Sequence, residues 1–187
     1  MDKAALRQAL RARRQSLTTG ELALSADRAT GVLLGQPAWA GARTVALHLA
    51  VRGELPTAGV LEAAWAAGKR VALPRMVDGR MELRLATPAT RLVAGAHAIP
   101  EPPAEAPRVE AAEIDLVLAP GLAFDRAGRR LGQGGGDYDR LLAAVRGDCA
   151  TFGWCHAFQL VGSVPTEPHD RPVGTVITPE GAHPAGR

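Results

Sequence analysis

The sequence predicts a three-layer α/β/α domain built on a mixed, mostly parallel sheet. Short apolar segments bounded by turn residues alternate along the chain with segments of helical periodicity, a pattern typical of α/β proteins. With 187 residues, of which 47% are hydrophobic, the chain is also large and apolar enough for one domain with a sizeable core. We therefore expect a single domain over residues 1–187, with a frayed tail at about 180–187.

Two helices are predicted near the start of the chain. Leucines recur at helical spacing over residues 2–16, beside a stripe of arginines. Thr18, followed by Glu21 three residues later, has the pattern of a capping box, which marks a helix start. A second helix is therefore expected over residues 19–35, where Pro37 ends it.

A strand–helix–strand unit and a hairpin follow. The apolar run at residues 43–50 predicts a buried strand, Thr57 can cap a helix that ends at Gly68, and residues 69–74 predict the next strand. Such a unit is expected to form a right-handed parallel crossover. An Asp-Gly pair at residues 78–79 predicts the hairpin.

The second half of the chain begins with a long connection. Residues 87–113 are rich in Pro and Ala, which predicts a functional or mobile segment rather than core. A buried strand is expected at residues 114–119, further strands at residues 150–155 and 173–178, and a helix at residues 137–146.

Composition argues against several classes of protein. A net charge of +3 and 4% aromatic residues give neither the field nor the stacking surface of a nucleic-acid-binding protein. The longest charge-free run contains glycines, a proline and polar side chains, so no membrane span or secretory signal is expected. The two cysteines suit reduced thiols, and none of the histidines has metal-ligand spacing. We expect a cytoplasmic monomer, with a dimer as the alternative, that binds small molecules.

A glycine-rich segment at residues 132–136 points to phosphate binding. Four of these five residues are glycines, which let backbone N–H groups approach an anion. The helix predicted next adds partial positive charge at its N-terminus. Asp137 stands where a dinucleotide-binding fingerprint requires glycine, and the Lys-Ser/Thr of a Walker A loop is missing. On the glycines alone, a tight-turning linker is an equal alternative.

Charged residues elsewhere are candidates for the same site. Asp139 and Asp170 could hold Mg²⁺, a cation that prefers oxygen ligands. Glu54 could bind the N–H groups of a heterocycle, and Lys3 and Arg7 share a helix face from which they could clamp phosphates. The plainer interpretation of Asp139 is a first-turn helix acid, and that of Asp170 is a turn residue. The other three would be solvated charged side chains.

The motifs taken together resemble those of the 5-formyltetrahydrofolate cyclo-ligase family, over nearly the whole chain. The resemblance is most specific in the glycine-rich segment. In chain order, the matching motifs are Lys3-x-x-Leu6-Arg7, Gly53-Glu54-Leu55-x-Thr57, residues 68–74, residues 99–102, residues 120–125, Arg130-Leu131-Gly132-x-Gly134-Gly135-Gly136-x-Tyr138-Asp139-Arg140, and residues 164–170.

This resemblance implies an ATP- and Mg²⁺-dependent conversion of 5-formyltetrahydrofolate to 5,10-methenyltetrahydrofolate, with release of ADP and phosphate. It implies catalytic roles for Arg130 and Tyr138 and metal-binding roles for Asp139 and Asp170. The residues implied to bind ATP are Lys3, Ala4, Ala5, Leu6, Arg7, Arg130, Leu131, Gly132, Gln133, Gly134, Gly135, Gly136, Asp137 and Tyr138. The residues implied to bind the folate are Leu49, Glu54, Gln133, Gly134, Gly135, Gly136 and Asp137.

Two residues depart from the family's pattern. The family often has a basic residue where Gln133 stands and a tyrosine where Asp137 stands. Losing a cation and gaining an anion beside phosphates should weaken nucleotide binding by about 1–3 kcal/mol if nothing compensates. Alternatively, Asp137 joins the metal ligands.

The implied chemistry suits these residues, although two other functions stay open. Phosphoryl transfer to the formyl oxygen needs positioning and charge neutralisation, so we expect no covalent enzyme intermediate. One alternative is a sugar-phosphate isomerase or a CoA-transferase-like enzyme, which would use Glu54 as a base and need no ATP. The other is a nonenzymatic binder of folate or nucleotide, which would release no ADP.

Overall fold

A computed structural model describes residues 3–95 and 99–186 and places one large sheet at the centre of the protein. Residues 2, 96–98 and 187 belong to the predicted first helix, long connection and tail, and they fall outside the described residues. The strands are β1 (Thr44–Ala46), β2 (Arg70–Val77), β3 (Arg80–Ala86), β4 (Val93–Ala94), β5 (Pro100–Glu101), β6 (Arg108–Val109), β7 (Leu116–Pro120), β8 (Ala123–Asp125), β9 (Arg130–Leu131), β10 (Ala150–Trp154), β11 (Leu160–Val161), β12 (Thr175–Thr178) and β13 (Gly181–Pro184).

Four of the helices match the predicted ones to within a few residues, and one was not predicted. Pro37 does not merely end the second helix, because it opens a short third one. Proline is well tolerated there, since an N–H at the first helical position would have no partner within the helix. The helices are α1 (Lys3–Gln15), α2 (Thr19–Leu34), α3 (Pro37–Gly41), α4 (Ala58–Ala66) and α5 (Asp137–Ala144).

The topology of the large sheet creates a switch point between β1 and β7. Its strand order is β13-β12-β10-β7-β1-β2-β3-β6, and the five strands from β12 to β2 are parallel. Strands β13, β3 and β6 pair antiparallel. Among the parallel strands the order is 2-1-3-4-5 in chain sequence. The connections after β1 and β7 therefore diverge, and ligands bind in the crevice that such a divergence leaves.

Helices cover both faces of this sheet, which confirms the predicted three-layer α/β/α class. In the central strands alternate residues point to opposite faces, so Val45 and Leu47 enter one core and Ala46 the other. The first core is closed by residues of α2, α3 and α4. The second is closed by Leu141 of α5 and its neighbours.

The capping box at the start of α2 is confirmed, whereas the proposed cap of α4 is wrong. The Glu21 backbone N–H donates to Thr18 Oγ1 at 3.2 Å, and the Thr18 N–H donates to the Glu21 carboxylate at 2.8 Å. Thr57 makes no capping bond. Its hydroxyl donates to the His48 carbonyl at 2.7 Å and accepts the Ala50 N–H at 3.3 Å. The side chain therefore secures the segment after β1 instead of the helix.

Two segments were predicted as irregular and prove to be part of the sheets. In the 87–113 connection, β6 pairs with β3 and Val109 belongs to the core. Beyond Pro179, β13 pairs along the whole of β12, so the prediction of a frayed tail is wrong for residues 181–184. A strand that short, made of Gly, Ala, His and Pro, has no apolar alternation to reveal it. No described helix is long and apolar enough to cross a membrane.

Gly128 provides a test of the turn between β8 and β9, which leads into the glycine-rich segment. Its φ is +76°, and an added Cβ would overlap the carbonyl of Val173. We predict that Gly128→Ala lowers the free energy of unfolding by at least about 2 kcal/mol, because the new side chain meets both backbone strain and a rigid neighbour.

Urea denaturation measures this loss, with Gly147→Ala as the control, since a Cβ at Gly147 meets nothing within 4 Å. Equal stability of the two variants would contradict this view of the turn.

Candidate active site

A cleft of about 1100 Å³ lies at the switch point of the sheet. Its walls come from the segments after β1 and β7, from α1, from the glycine-rich segment, and from residues 167–171. The segments that sequence analysis singled out separately therefore meet in one place. An open α/β sheet is expected to bind its ligand at this position.

The glycine-rich segment is shaped for close approach of an anion. It leaves β9 and ends at Gly136, the N-cap of α5, whose φ is +69°; Gly134 has φ +110°. These are left-handed conformations that glycine adopts without strain. Gly136 has no side chain with which to cap α5, so the N-cap residue does not satisfy the first N–H groups of the helix. The segment and the helix end form one polar surface of the cleft.

Helix α1 lies against this segment through a row of basic side chains. Arg7 Nε donates to the Gly132 carbonyl at 3.1 Å, and Arg11 Nη2 donates to Gln133 Oε1 at 2.6 Å. Lys3 Nζ lies 2.8 Å from Glu167 Oε1 and 3.1 Å from Asp170 Oδ2. Arg11 was not among the predicted site residues. Its spacing of four residues from Arg7 could have indicated it, because such residues share a helix face.

Gln133 and Asp137, the two residues that depart from the family pattern, each lie beside a cationic side chain. Arg11 supplies a positive charge beside Gln133, where the family often carries its own. Arg140 Nη2 lies 2.6 Å from Asp137 Oδ1, so the added anion is paired within the first turn of α5. Each departure is therefore accompanied by a positive charge within hydrogen-bond distance.

The two predicted metal ligands lie on connected segments of the cleft wall. Asp139 Oδ1 is 2.9 Å from Arg130 Nη2 and accepts the Arg171 N–H at 3.1 Å. Asp170 accepts the Glu167 N–H at 2.7 Å. Burial raises the pKa of Asp170, but this backbone bond and Lys3 outweigh burial and hold the pKa below its usual value. Among residues 3–95 and 99–186, no three His, Cys, Asp or Glu side chains cluster as metal ligands would.

Arg130 and Tyr138, the predicted catalytic pair, also lie together. The Arg130 guanidinium carbon is 5.8 Å from the centre of the Tyr138 ring. Burial raises the pKa of Tyr138, so the phenol stays neutral and can donate a hydrogen bond. Arg130 Nε is buried with no partner among the described residues. Both side chains line the cleft.

At the C-terminal end of α1, Arg14 holds the loop that carries Glu54. This arginine is 2% exposed, and its Nη2 donates to the carbonyls of Val51 at 3.3 Å and Arg52 at 2.7 Å. Its Nη1 lies 3.5 Å from Glu54 Oε1. Gly53 is pressed so close to α1 that a Cβ would lie 2.8 Å from the Arg14 carbonyl. Arg14 was not among the predicted site residues, although it lies three residues after Arg11 on the same helical stripe; its burial depends on the loop after β1.

Most of the predicted site residues line the cleft, and three do not. Ala4, Ala5 and Leu6 are absent from its walls, and Leu6 packs instead against a small core cluster. The cleft-lining predicted residues are Lys3, Arg7, Leu49, Glu54, Arg130, Leu131, Gly132, Gln133, Gly134, Gly135, Gly136, Asp137, Tyr138, Asp139 and Asp170.

Fold and cleft together define an α/β protein whose cleft is lined by a glycine-rich segment and by a carboxylate-bearing loop. The model of the 5-formyltetrahydrofolate cyclo-ligase family matches residues 1–179, so the chain belongs to that family. It is 35% identical over 175 residues to the 5-formyltetrahydrofolate cyclo-ligase of Escherichia coli K12, covering 91% of this chain and 96% of the relative. It is 32% identical over 185 residues to the enzyme of the same name from Mycolicibacterium smegmatis, covering 95% and 94%.

Solved structures are similar over the full fold. The 5,10-methenyltetrahydrofolate synthetase of Aquifex aeolicus superposes with a TM-score of 0.87 and 31% identity, covering 100% of this chain and 95% of that one. The synthetase of Mycoplasma pneumoniae, at 22% identity, shares the fold with a TM-score of 0.78, covering 96% of this chain and 99% of that one.

The position of Arg14 generates a prediction about the Glu54 loop. Arg14→Gln removes a fork that holds two carbonyls and a carboxylate, so the loop loses its fixed position. We expect the KM for the ligand bound beside Glu54 to rise about tenfold while the KM for the ligand at the glycine segment stays within about twofold.

Steady-state kinetics with each substrate varied in turn measures this split. Arg13→Gln is the matched control, because Arg13 is exposed, does not line the cleft, and has its guanidinium over the ring of Phe158. A similar rise in both KM values would argue for general destabilisation instead.

Proposed function

We propose that this protein catalyses the ATP-dependent conversion of 5-formyltetrahydrofolate to 5,10-methenyltetrahydrofolate, with release of ADP and phosphate. The observation that carries the proposal is a single cleft with two unlike sides. One side offers glycine backbone and several cations, and the other offers Glu54 on a fixed loop. Membership in the cyclo-ligase family supports the same reaction.

ATP is proposed to bind with its phosphates against the glycine segment and the start of α5. Backbone N–H groups at a helix N-terminus suit anionic oxygens, and Lys3, Arg7, Arg11 and Arg130 surround this surface with positive charge. The four glycines of residues 132–136 supply backbone without side chains, which permits the close approach. The row of cations on α1 is the feature that best favours a polyphosphate over a single carboxylate.

The reduced folate is proposed to bind across the cleft, beside Leu49 and Glu54. Glu54 Oε1 faces Arg14 and its Oε2 accepts the Val51 N–H at 3.2 Å, so the carboxylate is held in place. A pterin ring presents an amino group and a ring N–H, and both can donate hydrogen bonds to one fixed carboxylate. The two substrates would then meet in the middle of the cleft.

The residues at the cleft wall fit a magnesium ion. Asp139 and Asp170 are hard oxygen donors on segments joined by the Arg171 N–H bond to Asp139. Magnesium is usually held by one or two carboxylates and by substrate phosphates. Bound there, it would neutralise phosphate charge. Lys3 and Arg130, now paired with these carboxylates, are also proposed phosphate partners, so ligand binding would exchange one set of partners for another.

The proposed reaction requires positioning rather than a protein nucleophile. The formyl oxygen attacks the γ-phosphorus and ADP leaves, which gives an imidate phosphate. The folate N10 then attacks the formyl carbon and loses its proton, and phosphate departs with the C–O electron pair. Arg130 would stabilise charge on the transferring group, and Tyr138, kept neutral by burial, would donate a hydrogen bond. We also propose a cytoplasmic enzyme that acts as a monomer, with a dimer as the alternative.

One assay tests the proposed function directly. Purified protein with 5-formyltetrahydrofolate and Mg-ATP should generate the methenyl absorbance and one ADP per product. We predict that Asp139→Asn lowers kcat/KM by at least about 100-fold and raises the magnesium concentration needed for half-maximal rate, because it removes a proposed metal ligand.

Asp148→Asn is the control, since Asp148 is exposed and pairs only with Arg146 on the surface, among its described contacts. Product formed without ATP would favour the isomerase-like alternative, and binding of both ligands without ADP release would favour a nonenzymatic binder. Normal turnover by the Asp139→Asn protein would refute the metal role.

Arg11 supplies a second prediction for the nucleotide side. Arg11→Gln removes the cation beside Gln133, so the KM for ATP should rise about three- to tenfold while the KM for the folate changes little. Arg28→Gln, on the exposed face of α2, is the matched control. Calorimetric titration with Mg-ATP checks the same loss, and unchanged affinity would exclude Arg11 from the site.

A further inference from the structure

One histidine in the cleft wall has a ring nitrogen that the fold leaves without a partner. His48 follows β1 at the switch point, is 4% exposed and lines the cleft. Its Nδ1 lies 3.1 Å from the Leu118 carbonyl of β7, and its own carbonyl accepts the Thr57 hydroxyl. The ring thus joins the two strands whose connections diverge, and both contacts fix its position.

The Leu118 contact determines which nitrogen carries the proton. A carbonyl oxygen can only accept, so Nδ1 is the donor in this contact. Burial lowers the pKa of His48, and the nearby Glu54 charge opposes that shift without reversing it. The imidazole is therefore neutral near pH 7, and Nε2 carries a lone pair.

That lone pair is unsatisfied. Nε2 of His48 is buried and has no hydrogen-bond partner among the described residues. The other buried histidine, His156, differs, since its Nε2 faces the Gly53 carbonyl at 3.1 Å and its ring accepts the Gln159 N–H. Buried polar atoms are nearly always paired, so an orphan beside a cleft calls for a ligand that completes it.

We propose that Nε2 of His48 accepts a hydrogen bond from an N–H group of the bound reduced folate. The inference rests on the proposed function and adds a recognition residue to it. A neutral acceptor suits neither phosphate nor formyl oxygens, which are acceptors themselves. His48 directly precedes Leu49 and lies within the electrostatic influence of Glu54, both on the proposed folate side. Glu54 and His48 would thus present two acceptors to one heterocycle rich in N–H groups.

Two substitutions of His48 test the roles of its two ring nitrogens separately. His48→Asn keeps a donor near the position of Nδ1 and deletes the Nε2 acceptor, whereas His48→Gln keeps an acceptor near the position of Nε2. We expect His48→Asn to raise the KM for 5-formyltetrahydrofolate about tenfold, with the KM for ATP unchanged. His48→Gln should raise it less than about threefold. His183→Asn, on β13 and outside the cleft walls, is the control.

Nitrogen NMR of the wild-type protein gives a readout that needs no variant to fold. With ¹⁵N-labelled histidine, the His48 Nε2 resonance should lie in the range of an unprotonated imidazole nitrogen. It should shift when 5-formyltetrahydrofolate is added and stay in place when Mg-ATP is added alone. A shift on addition of Mg-ATP alone would indicate that His48 Nε2 binds the adenine of the nucleotide, and it would overturn the inference.

The outcomes also separate this inference from the proposed function. Wild-type turnover combined with a His48→Asn protein of unchanged folate KM overturns the role of His48 and leaves the function standing. Folate binding with the Nε2 shift, but no turnover by the wild-type protein, overturns the function and supports the recognition role. A folate-bound protein whose Nε2 resonance does not move refutes the inference whatever the activity.

Discussion

The site depends on one helix whose basic side chains bind backbone carbonyls, carboxylates and a side-chain amide from distant parts of the chain. Along α1, Lys3 reaches residues 167–170, Arg7 and Arg11 reach the glycine segment, and Arg14 reaches the loop after β1. The side chains lie three or four residues apart, so one rigid element sets the separation of both sides of the cleft. Because Arg14 is buried and its partners are carbonyls, the helix cannot shift without leaving those groups unsatisfied.

Charge is balanced locally within the cleft. Asp139 pairs with Arg130, Asp170 with Lys3, and Asp137 with Arg140. In the proposed complex, substrate binding would therefore change the partners of these existing charges, which would limit the cost of desolvating them. The uncharged His48 nitrogen stands apart from this pattern, since it offers hydrogen bonding without charge.

The features that were predicted correctly are those controlled by residues close together in the sequence. The five parallel strands, four helices and the Thr18 capping box follow from apolar periodicity and turn residues, and the glycine segment follows from composition. Features that depend on contacts with residues distant in the sequence were not predicted. Thr57 turned toward the His48 carbonyl rather than α4, and β13 formed because β12 offered a free edge. At the site, Glu54 and Asp139 were predictable as loop and first-turn acids, but Arg14 and the orphan nitrogen of His48 depend on neighbours far along the chain.

The outer strands of the large sheet affect how copies of the protein behave together. Its parallel centre is flanked by β6, of two residues, and β13, of four residues ending in Pro184. Short edges, one of them interrupted by a residue without an N–H, give another chain little backbone on which to add a strand. The short edge strands therefore protect the sheet from edge-to-edge association with another copy. Part of this protection comes from β13, a segment that has no apolar alternation in the sequence.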